Sequence, residues 1–335
     1  MVLKKTLIFL VAVLILVAVV GLLLPRNIRV ERSVSIARPA SLIYATVNSF
    51  QLFYKWSPWQ NLDPNMRQTT EGARDGVGAK LHWSGNDKVG SGTQLITASI
   101  PDRSVASDID FGKMGVAKST ILLDPQDSST RVTWTLDVDM GASPIGRYFG
   151  LMMDRMIGKD YERGLSKLKA LVEGMPNVDI AGFVAEPVEL SDVPILVVSE
   201  TSPPDAASIS RAYINAYAQI GKFMAKNKLH QSGAPLGIDG EMTSTAFSFQ
   251  AGMPIDRADV TPEGNVRVAQ SYGGKALKTT HVGPYDTLAK TYAAFRAYMA
   301  AHDYTANGTS FSRYLDDPAT TPPEKLRTEI YWPIQ

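Results

Sequence analysis

The chain has no cysteine and only four histidines, at positions 82, 230, 281 and 302. The first absence excludes disulfides, thiolate-ligated zinc, iron–sulfur clusters and a thiol nucleophile. The histidines show neither H-x-H nor H-x-x-x-H spacing, so no metal site is expected. Charge of one sign is lacking as well: 34 Lys+Arg oppose 33 Asp+Glu, for a formal net charge of +1. That balance supplies no electrostatic excess for a phosphate backbone, and no nucleic-acid partner is expected. Phosphate loops are missing too. Gly76-Val77-Gly78 lies between strand-like segments and opens no helix, and Gly112 to Ser119 lacks the adjacent Gly-Lys-Ser of a Walker loop. No cofactor is expected. What remains is a chain 44% hydrophobic and 20% charged, the balance of a globular protein.

One long hydrophobic run stands out. Thr6 to Leu24 is 19 uncharged residues, 15 of them Leu, Ile, Val or Phe, between Lys4-Lys5 and Pro25-Arg26. As a helix it is roughly 28 Å long, against about 30 Å of bilayer hydrocarbon, so residues 6–24 are expected to span a membrane once. A cleavable signal peptide is the rival. Its apolar core is usually 7–15 residues and ends in an A-x-A-like site, which Val20-Gly21-Leu22-Leu23-Leu24 does not offer. Lys4 and Lys5 nearly tie with Arg26, Arg29 and Arg32 in the positive-inside count. Keeping the short Lys-bearing tail in the cytoplasm places the soluble part outside it.

About 309 residues follow position 26, enough for two domains. Glu173-Gly174-Met175-Pro176-Asn177 closes a helical pattern with a Gly/Pro stop, and a new apolar run starts at Val193. The expected division is a domain at 27–173, a linker at 174–187 and a domain at 188–335. In the first half, Ile28 to Ile36 alternates apolar and polar as a half-buried strand does, and Pro39 to Val47 has helical spacing. Strand-like segments follow near 79–84, 92–100, 104–111, 116–123 and 130–139, read as one antiparallel meander. Ser143-Pro144 then supplies an N-cap and first-turn proline for a long helix. Its apolar stripe is read as Ile145, Tyr148, Met152, Met156, Tyr161, Leu165, Leu168 and Val172.

This order, with Ala37-Arg38-Pro39-Ala40, Trp56-Ser57-Pro58-Trp59, Gly76-Val77-Gly78-Ala79 before Trp83, Gly90-Ser91-Gly92 and Thr130-Arg131-Val132-Thr133-Trp134, resembles the START-like, polyketide cyclase/dehydrase-type (SRPBCC) superfamily. The resemblance covers about 28–173. It implies a helix-grip fold, a sheet wrapped on the C-terminal helix, with a cavity for apolar or amphipathic molecules between them.

The second half carries a near-repeat. Phe249 to Ile255 is echoed by Glu329 to Ile334, 79 residues apart at the Pro-Ile pairs, and helix Ser208–Asn227 leading to Gly233 is echoed by Asp286–His302 leading to Gly308, 75 apart at the glycines. Two strand–helix–strand–strand units packed about a pseudo-twofold axis are expected. His281-Val282-Gly283-Pro284-Tyr285, Phe311-Ser312-Arg313-Tyr314-Leu315-Asp316-Asp317-Pro318 and Thr328-Glu329-Ile330-Tyr331-Trp332-Pro333-Ile334 resemble the gyrase-inhibitor-like small-molecule-binding domain, also the effector-binding part of multidrug-responsive transcription activators. The resemblance covers about 188–335. Ser312 stands where that family usually has a glutamate, the acid that pairs with cationic ligands or serves as catalytic acid in the members that hydrolyse. Its absence points to neutral or weakly polar ligands. The fold class expected for the whole chain is α+β, a helix-grip domain followed by a duplicated βαββ domain, behind one transmembrane helix.

Candidate ligand-binding residues follow, each beside a plainer reading. Trp56, Trp59, Trp83 and Trp134 either line a cavity or form ordinary core. Met152 and Met156 lie on the helix expected to roof that cavity, where adaptable thioethers suit a pocket and equally suit a core. Tyr285 and Tyr314 carry hydroxyls that either orient a ligand or are satisfied within the core. Glu329, in an alternating strand, either points into the cleft as the remaining acid or faces solvent. His281 lacks a paired nucleophile and reads as structural. No catalytic residue is assigned. The expected function is a bacterial-type, membrane-anchored sensor or carrier binding small hydrophobic or amphipathic molecules through a cavity in each domain. A hydrolase or cyclase of such compounds, using Tyr285, Glu329 or His281, is the alternative, and a module with collapsed cavities binding another membrane protein is a third.

Overall fold

A computed structural model describes residues 2–335, with side chains from Lys4 onward except that of Met114. It divides into two compact units, the first chiefly residues 1–181 and the second chiefly 182–299 and 304–335.

The first unit begins with helix α1 (Val2–Leu23), apolar on every side after Lys5 and exposed from Lys4 to Val20. Among the described residues, Lys4–Leu23 is long and apolar enough to cross a membrane by length and composition. Next come β1 (Asn27–Ile36), the short helices α2 (Ala40–Val47) and α3 (Phe53–Trp56), then β2 (Arg67–Gly72), β3 (Ala79–Ser84), β4 (Ser91–Ile100), β5 (Ser104–Asp110), β6 (Val116–Pro125), β7 (Thr130–Asp139) and the long helix α4 (Pro144–Glu173). The seven strands form one antiparallel sheet in the order β1-β7-β6-β5-β4-β3-β2. β1 closes onto β7 in continuous register, Asn27 opposite Asp139 through Ile36 opposite Thr130, so Val30 and Ile36 share the buried face with Val132, Trp134 and Leu136. β2, of sequence RQTTEG, lacks apolar alternation and is absent from the expected meander. It is a polar edge strand, and such polarity discourages edge-to-edge pairing.

α4 starts as its sequence dictates, with the Ser143 side chain accepting from the Gly146 N–H and proline in the first turn. Its stripe differs from the expected one. Tyr161, Leu165, Leu168 and Val172 are buried, whereas Ile145, Met152 and Met156 are exposed on the opposite side. In the first half of the helix the buried positions are glycines: a β-carbon on Gly150 would meet the Ile28 side chain at 2.8 Å, and one on Gly158 would overlap the Arg32 guanidinium. These glycines let α4 lie against β1, and Arg32 there pairs with Asp154 and Glu162 at 2.9 and 2.7 Å.

The second unit contains β8 (Glu186–Leu190), β9 (Pro194–Ser202), α5 (Ala206–Asn227), β10 (Leu236–Met242), β11 (Phe247–Pro254), β12 (Arg267–Gln270), β13 (Gly274–Val282), α6 (Leu288–Ala301), β14 (Phe311–Tyr314) and β15 (Arg327–Pro333). Its antiparallel sheet has the order β12-β9-β11-β10-β14-β15-β13-β8. β9-α5-β10-β11 and β13-α6-β14-β15 are the two βαββ units, and they join where β10 meets β14, with Leu236, Gly237 and Ile238 opposite Arg313, Ser312 and Phe311. α5 buries Ala216, Ile220 and Phe223 on Leu196, Val198 and Ala251, and α6 buries Phe295 and Met299 on Leu277 and Ile330. Alternate residues of the same strands, among them Ile195, Val197, Leu236, Phe311 and Tyr331, pack on the other face.

Candidate functional site

The first unit gathers its aromatics into a filled interior. The rings of Trp134 and Tyr161 stack at 3.8 Å, and Trp56 meets Trp134 edge-on at 5.3 Å. The Trp134 indole N–H donates to Ser119 Oγ at 2.8 Å, and that of Trp59 to Asp160 Oδ2 at 3.0 Å. Beside them, lined by Phe53, Trp56, Ile96, Ser107, Ile121 and Trp134, is a cavity of about 20 Å³, room for about one water. Trp83 stands apart, packed on Phe111 at 5.9 Å. Met152 and Met156 do not roof this interior but face outward. Of the residues expected around the first cavity, Trp56, Trp59 and Trp134 are brought together, and Trp83, Met152 and Met156 are not.

In the second unit the junction of the two repeats gathers a cluster of half-buried tyrosines, the candidate ligand cleft. Gly237 and Asp239 of β10, and Ser312 and Tyr314 of β14, point toward the helix-covered face, because residues two apart on a strand share a side. α5 contributes Tyr213 and Tyr217, one turn apart, and α6 contributes Tyr292. The Tyr213 ring stacks on Phe249 at 4.0 Å, Tyr314 meets Tyr213 at 6.1 Å, and Tyr285 meets Tyr314 at 5.4 Å. Tyr217 donates to the Leu236 carbonyl at 2.7 Å, and Tyr292 shares a 2.8 Å hydrogen bond with Ser312 Oγ. Gly237 is required here: a β-carbon would come within 2.6 Å of the Tyr314 hydroxyl and 2.7 Å of the Tyr213 hydroxyl.

Asp239 is the acid of this cleft. Its Oδ2 accepts from Ser310 Oγ at 2.6 Å, and the Tyr292 hydroxyl lies near enough to favour its charged form. Burial raises its pKa above the ordinary aspartate value, partly offset by these two hydroxyls and the Arg296 charge. Burial likewise holds the hydroxyls of Tyr213, Tyr217, Tyr292 and Tyr314 protonated, so they remain hydrogen-bond donors at neutral pH.

Tyr285, Ser312 and Tyr314 therefore lie where the sequence places them together, but Glu329 does not. It pairs with Arg313, across from which Ser312 pairs with Ile330, and so projects from the opposite face. There its carboxylate accepts from Tyr331 at 2.6 Å and lies 3.9 Å from Lys278 Nζ. His281 is buried, with Nδ1 bonded to Thr291 at 2.8 Å and Nε2 to Thr287 at 3.2 Å, which occupies both ring nitrogens. An open groove of about 520 Å³ passes it, lined by Phe183, Val184, Glu186, Lys278 and Val282. Asp239, Tyr213, Tyr217, Tyr292 and Gly237 were missed from sequence. The 213/217 pair at helical spacing was the one local signal, since the cleft is assembled by strand pairing and by helices far apart in the chain.

Among the described residues no cluster of His, Cys, Asp or Glu could hold a metal ion.

No curated protein matches the chain. Among solved structures, similar ones include the EcmrR–DNA complex (16% identity, 56% of this chain and 72% of that one, TM-score 0.41) and the EcmrR C-terminal domain (18%, 45% and 97%, TM-score 0.41). Another is the Aha1 dimer from Colwellia psychrerythraea (19%, 44% and 96%, TM-score 0.32). Family models match both halves: residues 27–173 that of polyketide cyclase / dehydrase and lipid transport, and residues 186–335 that of the GyrI-like small molecule binding domain. With the wrapped sheet and long helix of the first unit and the duplicated βαββ sheet of the second, the chain is a fusion of a polyketide cyclase-type, START-like domain to a GyrI-like small-molecule-binding domain, behind an N-terminal apolar helix.

Proposed function

We propose that the chain is a membrane-anchored sensor or carrier whose tyrosine cleft binds a small aromatic or amphipathic molecule, with the molecule's cation or hydrogen-bond donor facing Asp239. α1 spans the membrane in this reading, and the soluble part lies on the extracytoplasmic side. The observation that carries the ligand reading is Asp239, a half-buried carboxylate with a raised pKa on the face of β10 that also carries the Tyr213, Tyr292 and Tyr314 cluster. Aromatic faces and a carboxylate both stabilise a cation, and rings that stack on one another can stack on a flat ligand. Ser312 taken alone points to neutral ligands, but Asp239 on the neighbouring strand supplies the missing charge, with Tyr292 bonded to Ser312 and close to Asp239. The reading rests on the second domain, because the cavity beside the stacked rings of the first has room for about one water.

Native mass spectrometry of the full chain released from its own membrane tests this. The expected result is a small molecule retained by the wild type and lost from Asp239→Asn and Gly237→Val variants of unchanged circular dichroism. Retention by both variants would place the ligand elsewhere, and conversion of the molecule by the wild type would favour a hydrolase or cyclase.

A further inference from the structure

Outside α1, the exposed large apolar side chains concentrate on the first half of α4. Ile145, Phe149, Met152 and Met156 are 81%, 50%, 59% and 50% exposed, and Leu151 beside them is also exposed. Their spacings of four, three and four residues put the four on one stripe about three turns long. This is not the helix's packing face, which lies opposite and carries Gly150, Gly158 and Tyr161. Two cations continue the stripe toward the C-terminus, the exposed Lys159 and Arg163, the latter paired with Asp160, and the exposed Arg155 flanks it.

The same part of α4 touches α1. Gly21 packs against Pro144 and Tyr148, the Tyr148 hydroxyl donates to the Val17 carbonyl at 3.0 Å, and the Arg147 guanidinium donates to the carbonyls of Leu22 and Leu24. Contacts reach from Leu24 back to Val17, so the first turns of α4 lie level with the last two turns of α1. Val17 is six residues, about 9 Å, from the Leu23 end of the helix. If α1 spans a bilayer, its Leu23 end marks the boundary between headgroups and acyl chains; Arg147 sits at that boundary and the Tyr148 hydroxyl reaches about 9 Å inward from it, in and just below the belt where arginine and tyrosine are favoured.

We infer that the Ile145–Phe149–Met152–Met156 stripe lies in the headgroup–acyl boundary of the bilayer that α1 crosses, so that the first domain is held to the membrane by two elements. The occupant is lipid, not a protein: the stripe is continuous with an apolar span and ends in cations suited to lipid phosphates, the arrangement of an interfacial amphipathic helix. The inference rests on reading α1 as a span, and the test separates the two.

The cysteine-free sequence permits single labels on the full chain. Val13→Cys, Met152→Cys and Asp127→Cys would each carry an environment-sensitive fluorophore, in phosphatidylcholine–phosphatidylglycerol vesicles with brominated acyl chains. Position 13 reports α1, 152 the stripe, and 127 an exposed turn between β6 and β7. The expected result is strong quenching at 13 and 152 and none at 127, with Phe149→Glu/Met156→Glu reducing quenching at 152 several-fold and leaving 13 unchanged. Quenching at 13 alone overturns the stripe and leaves the span. Quenching at 152 without 13 supports the stripe and overturns the span. Absence at both sites, or equal quenching at all three, overturns the inference.

Discussion

Asp239 occupies an environment that works against its own charge, and this has consequences for stability and binding. A carboxyl whose folded pKa is raised binds more protons folded than unfolded, so its contribution to stability falls as pH climbs from about 4 through the raised value. Asp239→Asn is therefore expected to raise the melting temperature at pH 7 relative to wild type, and the difference should vanish below pH 4; a variant less stable at pH 7 would mean that the hydroxyls and Arg296 outweigh desolvation. Ser312 is 2% exposed and bonded to Tyr292. Ser312→Glu would bury a second acid in the same cleft and should cost about 1–3 kcal/mol in denaturant unfolding, since nothing there supplies a compensating cation except the exposed Arg296. An unchanged midpoint would show that the new side chain escapes to solvent. Gly237→Ala places a methyl against two tyrosine hydroxyls, and ligand affinity should fall at least about tenfold while the fold persists.

The helices show which parts of this molecule were legible from sequence. The start of α4 was, because capping by Ser143 and Pro144 is local chemistry. Strands β1 and β3 to β7 were, because each alternates or is bounded by turn glycines, whereas β2 carries no apolar pattern to read. The face of α4 was half misread: Ile145 and Tyr161 are sixteen residues apart, about 4.4 turns, and so lie on opposite sides, although both are apolar. The cleft was legible at Tyr285, Ser312 and Tyr314, which belong to one contiguous-motif set. Asp239 and the helix tyrosines converge with them only when β10 pairs with β14, a long-range contact that no local pattern encodes. The two faces of α4 can be told apart by mutation. Leu168→Ala is expected to cost about 2–5 kcal/mol of stability, and Ile145→Ala less than about 0.5 kcal/mol. Similar losses at both would mean that the stripe is packed against protein.

At the scale of the whole chain, the two units coincide with two separate family matches, and the proposed ligand cleft belongs to the second of them. Proteolysis within 174–185 is expected to release a second half that keeps the cooperative unfolding of its sheet, whereas loss of its structure on cleavage would mean that the halves fold as one. The central claim concerns the charge in the cleft. Its direct measurement is calorimetric titration of a lipophilic cation and its neutral isostere against the full chain in detergent, for wild type and Asp239→Asn. The account predicts that the wild type prefers the cation by about tenfold or more, the worth of one charge-assisted contact, that this preference grows as Asp239 ionises with rising pH, and that Asp239→Asn abolishes it while leaving the neutral ligand's affinity intact. Equal affinity for the pair in the wild type, or a preference that survives Asp239→Asn, would contradict it.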